Sequence, residues 1–273
     1  MGRSLISLFL AALLLHGCSM LPEQKDETRN WSAERFYTEA STALAEENYQ
    51  DAIKYYEMLE ARYPYGQYAA QAQLDIAYAY YRYDEPDAAI DALDRFIRLH
   101  PDHPQVAYAN YMKGIVNLNR NLGLIDRFVP TDATQRDPGA YSQAYKDFME
   151  VIDKYPDTRY ARDARQRAIY LHNSLAMHEI HIAEYYMDRG AYLAAAKRAS
   201  GVIENYQRTP AARQALEIMV DAYTKLDMPE LAADAKRVLA LNEQQGNFVQ
   251  DAYNEEDKGL IRTFWDWTGL EQD

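Results

Sequence analysis

The chain has 273 residues, one cysteine and a formal net charge of −13 at pH 7. So acidic a protein repels phosphate backbones, which argues against nucleic-acid binding and against electrostatic adhesion to anionic lipid. A single cysteine excludes an internal disulfide in any compartment. The length suits one elongated helical domain.

The amino terminus has the pattern of a secretory signal. Arg3 supplies a positive charge, and residues 5–15 form a run of 11 residues that is apolar except for Ser7. That run has the length of a signal's hydrophobic region and is too short to span a bilayer comfortably. Residues 1–17 are therefore a predicted signal peptide, followed by a polar tether over residues 18–31.

The end of the apolar run resembles a bacterial lipobox, in which the cysteine is acylated. Cys18 is the predicted lipidation site, although His16 departs from the usual small or aliphatic residue. The alternative is an ordinary signal peptide with a stray cysteine. Several acyl chains would make a stable anchor. Ser19 accompanies export to the outer membrane in the lipoproteins that this segment resembles, so we expect a palmitate-bearing outer-membrane lipoprotein facing the periplasm.

The most informative feature of the chain is a pattern that returns five times. A small residue is followed by apolar residues at +4 and +7 and usually by proline at +12. The copies are Ala52/Tyr56/Leu59/Pro64, Ala89/Leu93/Phe96/Pro101, Ala144/Phe148/Val151/Pro156, Ala195/Ala199/Val202 with Gln207, and a weaker Ala232/Leu239. These spacings mark one face of a helix that the proline ends. Each copy is therefore the predicted second helix of a hairpin.

Turn residues precede four of these helices, at Glu47-Asn48-Tyr49, Asp84-Glu85-Pro86, Arg189-Gly190-Ala191 and Asp227-Met228-Pro229. Such a hairpin buries its apolar face only against stacked neighbours. The spacing of 37 residues from Ala52 to Ala89 is close to that of a tetratricopeptide repeat. The small residues Ala40, Ala77 and Gly114 also fit that repeat. The predicted fold is an all-α solenoid of about five tetratricopeptide-like hairpins.

The middle intervals are longer, so two hairpins carry insertions. One is predicted as a loop over residues 122–139, which contains Gly123, Pro130 and Asp137-Pro138-Gly139. It separates predicted amino-terminal repeats (32–121) from carboxy-terminal repeats (140–243).

The chain is unusually rich in tyrosine, with 24 residues in total. In a tetratricopeptide repeat, fixed positions of the first helices line a concave groove. Transferred to this chain, they are Tyr37, Ser41, Leu44, Gln71, Leu74, Tyr78, Tyr81, Arg82, Tyr108, Tyr111, Ile115 and Leu118. We predict an aromatic, nearly uncharged groove suited to peptide recognition. The alternative is that these side chains belong to the core.

The sequence shows no convincing set of catalytic residues, so neither enzymatic activity nor a cofactor is predicted. His178 and His181 stand at i,i+3 on a predicted helix, which would suit a metal pair, but a third ligand is not evident. His100 and His103 lie in a proline-flanked turn, where we expect them to cap and pack.

Several segments resemble the BamD family of outer-membrane assembly lipoproteins. They are residues 62–66, 73–75, 79–81, 94–101, 136–138, 183–186 and 189–191. The resemblance runs from Cys18 to about residue 242. It implies tetratricopeptide repeats, an outer-membrane anchor and service in the β-barrel assembly machine beside the insertase BamA and accessory Bam lipoproteins. It also implies that the amino-terminal repeats bind the carboxy-terminal segments of unfolded outer-membrane proteins.

The same resemblance implies that Arg198 contacts the insertase from the carboxy-terminal repeats. Two other functions stay open at this point. One is a periplasmic adaptor for peptidoglycan enzymes, and the other is a regulator of a metal-dependent hydrolase that uses His178 and His181. The acidic and aromatic tail, residues 244–273, lies outside the resemblance, and we expect it to cap the last hairpin or to dock on a partner or the lipid interface.

Overall fold

The computed structural model describes residues 27–120 and 138–248. Within those ranges there is no strand, and the helices are α1 Ala33–Ala45, α2 Tyr49–Arg62, α3 Ala69–Arg82, α4 Pro86–Leu99, α5 Val106–Asn119, α6 Pro138–Lys154, α7 Arg159–Asp188, α8 Tyr192–Asn205, α9 Ala211–Lys225 and α10 Pro229–Gln245. Each helix packs against the next along the chain. The first helices of several neighbouring hairpins also contact one another. The prediction of an all-α solenoid of five tetratricopeptide-like hairpins is confirmed.

Local sequence explains where the helices begin. The side chains of Ser32, Asn48 and Thr158 accept hydrogen bonds from backbone N–H groups in the first turns of α1, α2 and α7. These bonds satisfy donors that a helix start otherwise leaves unpaired. Pro86 and Pro229 are the first residues of α4 and α10. Proline lacks a backbone N–H, but in the first turn of a helix that group would have no intrahelical partner.

Each of the four predicted hairpin turns contains a residue in the left-handed region. These are Glu47, Asp84, Gly190 and Asp227, with φ of 58°, 66°, 71° and 57°. In the first turn the N–H of Asn48 reaches back to the carbonyl of Ala43 at 2.8 Å, and the other three turns repeat this bond. The left-handed residue thus closes the first helix and reverses the chain.

The repeating pattern marks the buried face, as predicted. The small residue of the first four copies, Ala52, Ala89, Ala144 and Ala195, is fully buried. In the fifth copy, Ala232 is only partly buried. The difference arises because α10 ends the described part of the solenoid, where the described residues place no further hairpin against it, and Leu231 and Leu241 are exposed there.

The proline at +12 is not required to end the second helix. Helix α8 carries Gln207 at that position and nevertheless ends at Asn205. Its capping residue Tyr206 has the same backbone geometry as Tyr63 after α2 and His100 after α4, with φ between −125° and −132°. An aromatic residue just before the proline position therefore accompanies the end of these helices, and the sequence pattern did not include it.

The two longer repeats are accommodated differently. Helix α7 has 30 residues and carries the extra length of its repeat as continuous helix. The other insertion, predicted over residues 122–139, lies almost wholly outside the described residues, and α6 already begins at Pro138. One apolar cluster runs from Phe36 to Leu175, and a second contains Ala176 and residues of α8 and α9. The middle of α7 joins these two parts of the core.

The predicted small residues at helix contacts are needed sterically. Ala40 and Ala77 are buried to within 1% of completely, and a Cβ added to Gly114 would lie 2.6 Å from Cε1 of the buried Phe148. Real Cβ atoms do not approach ring carbons so closely, so this glycine lets α5 and α6 approach.

Gly114→Ala is expected to destabilise the protein. Overpacking costs about 1–3 kcal/mol, which should outweigh the gain of up to about 1 kcal/mol from replacing a helical glycine. Gly201→Ala is the matched control, because a Cβ there meets nothing within 4 Å, and it should raise stability slightly. Urea unfolding of both variants measures the difference, and two changes of the same sign would contradict this account.

Candidate functional site

The first helices of the amino-terminal hairpins, together with side chains of α2 and α7, line an open cavity of about 270 Å³. It is lined by Tyr37, Ser41, Leu44, Tyr56, Gln71, Asp75, Tyr78, Gln105, Tyr108 and Tyr160, and we call it the tyrosine cavity. Six of these residues were among the predicted groove positions: Tyr37, Ser41, Leu44, Gln71, Tyr78 and Tyr108. The repeat register thus locates a real cavity, although the sequence pattern did not single out Asp75.

Asp75 corrects the prediction of a nearly uncharged groove. One carboxylate oxygen, Oδ2, accepts hydrogen bonds from the hydroxyls of Tyr37 at 3.0 Å and Tyr56 at 3.4 Å. The other, Oδ1, accepts from Nε2 of Gln71 at 2.8 Å. Burial raises the pKa of Asp75 to about 6, against the three hydrogen bonds, which favour the charged form. The cavity therefore holds a carboxylate whose charge is costly.

The tyrosines around this carboxylate are held as hydrogen-bond donors and packed rings. Burial raises the pKa of Tyr37 and of Tyr108 above the usual range, and the nearby carboxylate of Asp75 adds to both shifts. Their hydroxyls therefore stay protonated at physiological pH. Tyr37 also stacks on Tyr68 with ring centroids 5.0 Å apart, which fixes the ring in place.

Two predicted groove anchors are buried instead. Tyr78 is 7% exposed and Tyr111 is 3% exposed, so both are core residues, although Tyr78 also lines the tyrosine cavity. Tyr111 lies between Phe148 and Tyr160, with ring centroids at 5.8 and 5.5 Å, and its hydroxyl donates to Asp163. The prediction that these two rings stand exposed in a groove was wrong, and Tyr111 is covered by side chains of α6 and α7.

The remaining predicted groove residues have structural partners. Leu44, Leu74 and Ile115 are buried, and Leu118 packs partly buried against the core. The hydroxyl of Tyr81 accepts a bond from Asn119 at 2.8 Å. Arg82 donates to the hydroxyl of Tyr78 at 2.7 Å and pairs with Glu47 at 3.3 Å. This arginine therefore ties α3 to the first hairpin turn.

Arg198 lies on α8 and forms an ion pair within the chain. Its Nη1 is 2.9 Å from Oε2 of Glu179 on α7, and the two side chains are 45% and 26% exposed. The sequence did not indicate this partner, which stands 19 residues earlier. Half of the arginine side chain remains accessible beside a carboxylate of its own chain.

His100 and His103 pack as expected, whereas His178 and His181 lie partly exposed on α7. His100 and His103 both contact the ring of Phe96 with centroids at 5.3 Å, as predicted for the turn. His181 lies 3.5 Å from Glu184 on α7, near His178. Over residues 27–120 and 138–248, no three His, Cys, Asp or Glu side chains are grouped to hold a metal ion.

Several predicted features lie outside the described residues: the signal peptide, acylation of Cys18, most of the tether, most of the insertion loop, and the tail after Phe248. Among the described helices, none is long and apolar enough to cross a membrane.

Comparison with known proteins gives one family and several close relatives. The YfiO family, described as an outer membrane lipoprotein family, matches residues 29–239. A protein of Neisseria meningitidis serogroup B named outer membrane protein assembly factor BamD is 44% identical over 87% of this chain and 89% of its own length. BamD proteins of Xylella fastidiosa and Vibrio cholerae are 36% and 35% identical over 87% of this chain, covering 81% and 97% of their own lengths.

The matched region reaches from the first hairpin into the last described helix and includes the tyrosine cavity. A helical-repeat protein with an outer-membrane lipoprotein profile is the class that these findings define. The chain belongs to the BamD family.

Proposed function

We propose that this protein is a non-catalytic component of the machinery that assembles outer-membrane proteins. The observation that carries the proposal is its similarity, over 87% of the chain, to relatives named as outer membrane protein assembly factors. Those names favour the assembly role over an adaptor for peptidoglycan enzymes.

The tyrosine cavity is the proposed binding site for segments of unfolded outer-membrane proteins. Its walls offer rigid rings and hydroxyl groups, which give large contact area at low cost in conformational entropy. Tyr37 and Tyr108 line it and are partly exposed. They replace Tyr78 and Tyr111 as the side chains through which a bound segment would be contacted.

The proposal extends to partners and location. Arg198, on the accessible surface of α8, is the proposed contact with a BamA-like insertase, and accessory Bam lipoproteins complete the complex. Acylation of Cys18 would hold the chain on the periplasmic face of the outer membrane. Loss of palmitate labelling in Cys18→Ala tests this anchor.

Site-specific crosslinking tests the binding site. A photoreactive residue introduced at Tyr37 or Tyr108 is expected to capture outer-membrane proteins during their assembly in cells. The control position is Tyr65, which is 98% exposed but does not line the cavity. Equal capture from the control position, or no capture from either cavity position, would contradict the proposed site.

A further inference from the structure

The carboxylate of Asp75 has only neutral partners. All three of its hydrogen bonds come from tyrosine hydroxyls and a glutamine amide. Among residues 27–120 and 138–248, no lysine, arginine or histidine makes an ion pair with it. Buried charges are usually paired. This one faces the cavity and is partly accessible from it.

A second tyrosine–carboxylate arrangement shows what Asp75 lacks. The hydroxyl of Tyr111 donates to Oδ2 of Asp163, and Nε of Arg167 contacts the same oxygen. Both members of that ion pair are mostly buried, with side chains 16% and 23% exposed. There the chain itself supplies a cation at i+4 from the carboxylate. At i+4 from Asp75 stands Ala79, which cannot do so.

The chemistry of the cavity selects an organic cation over a metal. A hard divalent ion takes six or more oxygen ligands, and Asp75 is the one carboxylate that lines the cavity. Aromatic rings attract ammonium and guanidinium groups, and the attraction strengthens when water is excluded. Tyr37, Tyr108 and Tyr160, the partly exposed tyrosines of the lining, supply such rings.

We propose that the tyrosine cavity binds the ammonium or guanidinium group of a lysine or arginine side chain on a bound polypeptide. This rests on the proposed function and specifies the segments that the site accepts. A peptide's terminal carboxylate would meet Asp75 as a like charge, so the cavity should receive an internal cationic side chain and leave the chain end outside.

The proposal carries a pH dependence. The groups facing Asp75 are Gln71 on its own helix and tyrosines on α1, α2 and α5, all neutral at physiological pH. The pKa of Asp75 is raised to about 6. The carboxylate is therefore ionised above that pH and loses its charge below it, and affinity for a cation should fall as the pH drops from 7.5 to 5.

Calorimetry with the mature protein at pH 7.5 tests the inference. The ligands are capped ten-residue peptides of one extended sequence that differ only at a central position, which is lysine, norleucine or glutamate. The lysine peptide is expected to bind at least about 10-fold more tightly than the norleucine peptide, a typical gain for a desolvated cation site. Asp75→Asn should abolish this preference. Because ionised Asp75 opposes folding at neutral pH, the asparagine variant should remain folded.

The control variant is Asp91→Asn, which removes one exposed charge on α4 away from the cavity and should keep the preference. Equal binding of the lysine and norleucine peptides by the wild-type protein, or an undiminished preference in Asp75→Asn, would overturn the proposal. n-Butylamine should bind far more weakly than the lysine peptide, and equal affinity would assign the cavity to small amines instead.

This experiment is separable from the test of the proposed function. If crosslinking at Tyr108 captures outer-membrane proteins but lysine gives no advantage, the cation site is refuted and the assembly role stands. If lysine is preferred but crosslinking captures nothing, the cation site stands and the assembly role of the cavity is refuted.

Discussion

Replacing Tyr111 by alanine is expected to lower the free energy of unfolding by about 3 kcal/mol or more. The ring is 3% exposed and contacts Phe148 and Tyr160. Truncating a buried aromatic side chain usually costs about 3–5 kcal/mol, because contacts are lost and a cavity remains. The variant would also remove a donor from the buried Asp163. Denaturant unfolding followed by circular dichroism measures the change.

Tyr111→Phe separates the packing of the ring from its hydrogen bond. It keeps the ring and leaves Asp163 paired with Arg167, so it should cost only about 1 kcal/mol. If the alanine variant were as stable as the wild-type protein, Tyr111 could not be a core residue and the predicted exposed groove would be restored. Binding studies on the cavity should therefore use Tyr37 and Tyr108, whose replacement disturbs the core less.

Arg198→Glu is expected to abolish co-purification of the insertase while leaving the fold intact. Loss of a buried, hydrogen-bonded charge pair across an interface costs about 2–5 kcal/mol, which corresponds to roughly 30-fold or more in affinity. Within the chain, the substitution breaks an ion pair with Glu179 whose members are 45% and 26% exposed. Such pairs contribute only about 0–1 kcal/mol to stability. Affinity purification from solubilised membranes and thermal unfolding measure the two effects separately.

The intrachain pair provides a matched control that the sequence did not reveal. Combining Arg198→Glu with Glu179→Arg restores attraction between α7 and α8 but leaves the charge at position 198 reversed. If Arg198 meets a carboxylate of the insertase, the swapped protein should regain stability without regaining the partner. Recovery of binding by the swap would show that Arg198 acts through Glu179. Undiminished binding of the single variant would place the interface elsewhere.

The helical hairpins and their buried faces follow from local sequence alone. Ala52, Tyr56 and Leu59 recur at helical spacing, and all three are buried to within 1% of completely. The turns were equally local, because a left-handed residue such as Asp84 closes a helix through bonds to its own chain neighbours. Helix periodicity and turn chemistry act over a few residues, so they can be read without knowledge of the neighbours.

Which tyrosines are buried in the core, and which charged side chains pair, depends on the packing of distant helices. Tyr37 reaches Asp75 across 38 residues of sequence, and Tyr111 reaches Asp163 across 52. A tyrosine in the right register is exposed or buried according to what the next hairpin places over it. The same holds for Arg198, whose partner Glu179 stands on another helix. The repeat register predicts on which side of its helix a residue lies. Burial and ion pairing depend on how the hairpins stack, and no local pattern encodes that stacking.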